Sequence, residues 1–266
     1  MRLSTSARWV LGVLTSLVLA FIYVPLGLVL INSFNADKAF GWPPTGFTLE
    51  WWKRAAQNQA VLDAVWVSVK VALASTAIAL VLGTLLAMAL QRYSFFGKSS
   101  VNLLAILPIA LPGVVTGIAL NNLFTTVLGV PLSMWTVIVA HATFCMVTVL
   151  NNAQARLQQM SSRLEEASAD LGAGVFQTFW NVTLPQLRSA LLAGGLLSFA
   201  LSFDEIIVTT FTLGSGEQTL PVWILQNLFR PIQAPIVNVV AVVLIVVSVI
   251  PIWLAQRLSG QQATAR

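Results

Sequence analysis

The sequence predicts an all-α, polytopic membrane protein with six spanning helices. Three observations predict it. Of 266 residues, 57% are hydrophobic and 9% charged. Soluble domains run near 25% charged, so the solvent for most of this surface is lipid. Six apolar runs of at least 19 residues are separated by short polar segments. A helix needs roughly 20 residues to cross a hydrocarbon core of about 30 Å. Finally, the sequence lacks the short alternating segments that build membrane strands. Backbone groups in lipid must then pair within helices.

The first run, Trp9–Ile31, follows Arg2 and Arg8 and continues past "VLA" at 18–20. It is too long for a signal peptide and reads as an uncleaved helix. The loop "FGWPPTGFTLEWWKRAAQN" carries Trp42, Trp51 and Trp52, which suit the headgroup layer, and Thr48, which would cap a short interfacial helix. The second run is Ala64–Leu90. The third, Val101–Leu128, is punctuated by Pro108, Pro112, Gly113 and Gly117 and holds Asn121 and Asn122. It reads as one bent helix, either packed on neighbours or lining a solute path. The fourth, Leu132–Leu150, contains the lone His141 and lone Cys145, four residues apart on one face, expected in core packing. The fifth is Ala190–Leu213. After it, "LGSGEQTLPVWILQNLFRPIQAP" reads as a turn, a short amphipathic helix and a turn. The sixth is Ile236–Leu254. The chain divides into residues 1–63 (first helix and outer loop), a five-helix core at 64–255, and a tail at 256–266.

Lysine and arginine set the orientation. With the N-terminus inside, inner segments hold nine and outer segments four. The positive-inside rule therefore puts both termini in the cytoplasm.

Several function classes are excluded. The net charge is +5, but the basic residues are scattered, with no basic run or aromatic platform for nucleic acid. One histidine and one cysteine supply no metal cluster or nucleophile–base set, and HExxH, GxSxG and GxGxxG are absent. "FGKSS" at 96–100 has Arg92 where a phosphate loop needs glycine. No cofactor is expected on this chain.

Lys70, Asp204 and Glu205 fall inside apolar runs. Each costs about 2.5–3.5 kcal/mol at mid-membrane, so such residues face protein or water. Asp204 and Lys70 fall at similar depths, which suggests an ion pair between them. On a continuous helix Glu205 shares one face with Ser198, Ser202, Thr209 and Thr212. Glu205, Asp204, Ser202, Thr209 and Asn121 are the candidate solute-path residues. The alternative is that the hydroxyl stripe packs against another helix.

A polar stretch that interrupts the apolar runs is "EEASADLGAGVFQTFWNVTLP", at 165–185. A helix is expected at about 161–171, then a break at Gly172, Ala173 and Gly174, then a short apolar helix ended by Pro185. Val175, Phe176, Phe179 and Trp180 form an aromatic surface that wants a partner.

From Glu166 to Pro185 this stretch resembles the EAA loop of bacterial ABC importer permeases. That pattern is E-A-A, three residues, G, nine residues, an aliphatic, one residue, L-P. Glu166, Ala167, Gly172, Val182, Leu184 and Pro185 fall on it, and Ser168 replaces the second alanine. The resemblance implies a type I importer permease fold in the bacterial inner membrane. It implies that Glu166, Ala167, Gly172, Phe176, Phe179, Leu184 and Pro185 belong to an element docking on a cytoplasmic ATPase dimer that holds ATP and Mg. It also implies a second permease subunit, identical or related, and an extracytoplasmic solute-binding protein. "NSFNADKAFGWPPTGFTLEWW", "LPIALPGVVTGIAL" and "LSFDEIIVTTFTLG" are similar to the spermidine/putrescine branch, which implies a polyamine cargo. Related permeases for ferric iron, sulfate, phosphonates, opines or amino-acid-like solutes share much of this pattern. A stand-alone secondary transporter has no need of the loop.

Overall fold

The structure, a computed structural model, describes residues 4–38, 42–230 and 232–260. Arg2, Arg266, part of the first loop and the end of the expected tail lie outside them. Among the described residues the chain is helical, with one isolated bridge between Asn35 and Phe47. The helices are α1 (Thr5–Asn32), α2 (Glu50–Gln57), α3 (Gln59–Arg92), α4 (Lys98–Ala110), α5 (Gly113–Asn122), α6 (Met134–Gln159), α7 (Arg163–Asp170), α8 (Val175–Thr178), α9 (Leu184–Phe203), α10 (Ile207–Thr212), α11 (Leu220–Asn227) and α12 (Ala234–Gly260). Five helical stretches are long and apolar enough to cross a membrane, and α4 with α5 makes a sixth, bent one.

Two compact units are distinguished. The first comprises residues up to Leu62 with Trp223–Ile245. In it Trp51 is 5% exposed, packs with Ala55 and Val239, and donates from Nε1 to the Asn35 carbonyl at 2.8 Å. Trp52 stacks on Phe34. The expected headgroup role therefore does not hold for Trp51, whose indole N–H is satisfied inside the fold. Trp42 is exposed. Thr48 does accept from the Glu50 amide at the start of α2. No residue in the most apolar window of α1 is buried, while its last turns, from Gly27, are mostly half-buried and end on the buried Asn32.

The second unit comprises Asp63–Val222 and the chain from Val246. Its centre is α6, which packs most extensively on α9. The pair is antiparallel and in register. Ser198 Oγ donates to the Cys145 carbonyl at 3.1 Å, and Cys145 Sγ reaches the Ser198 carbonyl at 3.4 Å. Small residues permit the approach: a Cβ on Gly194 would lie 3.3 Å from the Val149 backbone, and one on Gly83 of α3 would lie 2.9 Å from the Met146 carbonyl oxygen.

The third apolar run is two helices rather than one bent helix. They meet at 108°. Leu111 precedes a proline, whose ring disfavours the helical region for it, and it sits at φ −83°, ψ 147°. Pro112 then opens α5.

The fifth run also breaks, which corrects the continuous helix expected over 190–213. Helix α9 ends at Phe203 and α10 begins at Ile207. The cause is local competition for a backbone donor. Glu205 Oε1 accepts from the Val208 amide at 2.8 Å, the amide a continuous helix would bond to the Asp204 carbonyl. The second halves of the two broken spans then pair. Gly113 and Gly117 of α5 face Ile207 and Phe211 of α10, where a Cβ on Gly117 would lie 2.8 Å from the phenyl ring. Asn121 Nδ2 donates to the Phe211 carbonyl at 2.6 Å.

Candidate functional site

Asp204 and Glu205 occupy the break in the fifth span. Both line a cavity of about 500 Å³, with Ile109 from the end of α4, Thr148 from α6, and Ser248 from α12. Asp204 is exposed and Glu205 half-buried. The Ser248 hydroxyl is buried without a hydrogen-bond partner. The cavity thus presents two carboxylates on a wall that is otherwise apolar apart from Thr148 and Ser248. That donor set suits a cation that can also donate hydrogen bonds.

The other expected path residues are placed differently. Ser202 and Thr209 are buried, 3% and 0% exposed, and both bond to His141. They no longer share a face with Glu205, because the helix that would align them ends at Phe203. Asn121 ties α5 to α10. No ion pair joins Lys70 to Asp204 among the described residues; the Lys70 ammonium lies 5.3 Å from the Trp66 ring centroid instead.

The second feature is the segment after α6. Helix α7 ends at Asp170, and Gly172 turns the chain at φ +83°, a left-handed conformation suited to glycine. Helix α8 continues through a π turn, Phe179–Thr183, into α9. Pro185 therefore does not end the short helix. It lies in the first turn of α9, and the wider turn, closed by the Leu184 amide on the Phe179 carbonyl, accommodates a residue without an N–H. Leu171, Val175, Phe176 and Trp180 are 89%, 81%, 75% and 51% exposed, an apolar surface on one short stretch. Phe179 is half-buried and packs edge-on against Trp180. Glu166 and Ala167 lie exposed on α7, and Leu184 and Pro185 follow the π turn.

This segment is pinned to the body of the unit. Arg92, the last residue of α3, donates from Nη2 to Glu165 Oε1 at 2.8 Å, and Thr183 Oγ1 donates to the same oxygen at 2.9 Å. Arg156 Nε donates to the Gln186 carbonyl. Ser168 Oγ lies 3.0 Å from Thr178 Oγ1 and joins α7 to α8, a contact alanine could not make. Glu165 is the residue sequence reasoning missed. Its partner is 73 positions away, and no local pattern marks it.

Among the described residues, five helical stretches and one bent pair long and apolar enough to cross a membrane, with a pinned loop bearing an aromatic surface, fit a transport permease of the ABC importer class. The chain belongs to the family described as "binding-protein-dependent transport system inner membrane component", whose model matches residues 79–261. It is 33% identical over 249 residues to the spermidine/putrescine transport system permease protein PotC of Escherichia coli K12, covering 94% of this chain and 93% of the relative. It is 32% identical to the putrescine transport system permease protein PotI of the same strain, covering 85% and 82%. Its fold matches a bacterial ABC transporter involved in import of the acidic polysaccharide alginate, at a TM-score of 0.67 and 16% identity, over 97% of this chain and 99% of that one.

Proposed function

We propose that this permease carries polyamines inward, with Asp204 and Glu205 as counter-charges for the cargo's ammonium groups. The observation that carries the reading is the acidic pair at a helix break, where both carboxylates line one cavity. A putrescine or spermidine ammonium donates hydrogen bonds and is positive at neutral pH, so it matches this wall. An anionic solute such as a phosphonate or sulfate would be repelled there. The names of the polyamine relatives agree with this chemistry.

In this reading both termini lie in the cytoplasm, and the 163–185 segment docks there on a separate ATPase dimer that binds ATP and Mg. A second permease subunit completes the path, and a solute-binding protein delivers cargo on the opposite face. Nucleotide closure of the ATPases moves the docked segments, and the pinned loop passes that movement to α3 and α9.

Two measurements test this. Uptake of labelled spermidine by cells expressing the whole transporter is expected to be competed by putrescine and not by sulfate or 2-aminoethylphosphonate. Saturable uptake of an anion that polyamines fail to compete would overturn the cargo. For transmission, Arg92→Glu or Glu165→Arg alone is expected to lower uptake about tenfold, the worth of one partly buried charge-assisted hydrogen bond. Arg92→Glu with Glu165→Arg should recover a large part of it. Equal loss in the singles and the swap would show that the pin does not act as a pair.

A further inference from the structure

We propose that His141 is a positioning residue for the acidic pair, stapling the two pieces of the fifth span so that Asp204 and Glu205 are held at the cavity. The proposal rests on the reading of those carboxylates as the cargo's counter-charges.

The argument starts from the break. A helix interrupted between Phe203 and Ile207 loses the hydrogen bonds that would fix one half against the other. The angle of α10 to α9 must then be set from outside the span. His141, on α6, is fully buried between them. Its Nδ1 lies 2.8 Å from Ser202 Oγ in the last turn of α9, and its Nε2 lies 2.9 Å from Thr209 Oγ1 in the first turn of α10. One planar ring therefore spans the break, and both hydroxyls it meets are buried.

The proton count gives the contact a direction. Thr209 donates its hydroxyl proton to the Glu205 carbonyl at 2.9 Å, so it accepts from Nε2–H. A neutral ring then has a free lone pair on Nδ1, which accepts from Ser202. Ser202 Oγ also lies 3.0 Å from Ser75 Oγ of α3, whose own proton goes to the Val71 carbonyl. The chain of donors runs Ser202, His141, Thr209 to the Glu205 carbonyl, each group donating once. It ends on the backbone of one of the two acids. Thr136 and Asn121 hold the far end of α10 through the Thr212 and Phe211 carbonyls, while at the near end Gly113 of α5 packs on Ile207 and this chain of bonds supplies the polar tie across the break.

The test uses the assembled transporter in proteoliposomes, with labelled spermidine uptake and ATP hydrolysis measured together. An asparagine at 141 can imitate Nδ1 and a glutamine can imitate Nε2, so each keeps one side of the staple. Thr209→Val removes the other bond at constant volume and carries the test if a histidine variant fails to assemble. His141→Asn, His141→Gln and Thr209→Val are each expected to raise KM about tenfold, as a misplaced counter-charge would. ATP hydrolysis and the amount of assembled complex should stay near wild type. His141→Asn combined with Thr209→Val should be no worse than either alone, because both open the same joint. A loss of assembled complex with KM unchanged, or additive effects in the double variant, would overturn the proposal. Glu205→Gln serves as the reference. If it raises KM while the staple variants do not, the positioning role falls alone. If it too leaves KM unchanged, the counter-charge reading has failed first.

Discussion

Phe176→Asp is expected to reduce ATP-driven uptake to about 1% of wild type or less while leaving the permease itself folded. The side chain is 75% exposed, so its replacement removes little from the chain's own core. With Trp180 it forms an edge-to-face pair at 6.0 Å, standing out from the unit on α8. An aromatic anchor at the centre of a docked surface is worth about 2–4 kcal/mol, and a carboxylate buried unpaired in its socket costs more. That range converts to roughly a thirtyfold to thousandfold loss of affinity. The check is co-purification of the ATPase with the permease, alongside uptake. Retention of both would remove the docking assignment. Gly172→Ala is the graded control. No atom lies within 4 Å of its added Cβ, so the cost is the backbone strain of φ +83° alone, about 1–2 kcal/mol, and uptake should fall less than for Phe176→Asp.

The second large effect concerns the acids. Asp204→Asn with Glu205→Gln is expected to raise the KM for spermidine about a hundredfold, with assembly intact. Two unit charges about 4 Å apart attract by about 4 kcal/mol at an effective dielectric near 20, and part of that is spent on desolvation. Amides are the informative replacements. Glutamine keeps an oxygen that can accept from the Val208 amide, so the start of α10 survives while the charge is lost. Alanine at 205 would remove the cap as well and confuse the two roles. An unchanged KM in the double amide variant would mean that the cavity does not hold the cargo's ammonium groups.

How far the sequence carried the reading differs from element to element. The spans are legible because lipid imposes one crude rule, about 20 apolar residues with internal backbone pairing. The loop at 163–185 is legible because its polarity, glycine break and aromatic run are all local. The bend at Leu111 is legible in kind, since proline announces it, though its 108° angle is not. The break at Asp204 is not legible. "SFDEIIV" contains neither glycine nor proline, and period counting carries a helix straight through it. For that reason the stripe of Ser202, Glu205 and Thr209 was aligned on a helix that the chain does not build.

Composition and short-range pattern by themselves determined that this chain is an α-helical membrane protein, which runs are long and apolar enough to cross, and which short stretch carries an exposed aromatic surface. Those properties follow from transfer free energies and local backbone preferences, which depend on residue type and neighbours in sequence. The tertiary structure alone decided that Ser202 and Thr209 serve His141, that Glu165 pairs with Arg92, and that Asp204 and Glu205 open on one cavity. Each joins groups 61 to 73 positions apart, or follows from a side chain outbidding the helix for a backbone amide. Such competition is settled by geometry among neighbours in space, and no local period records it.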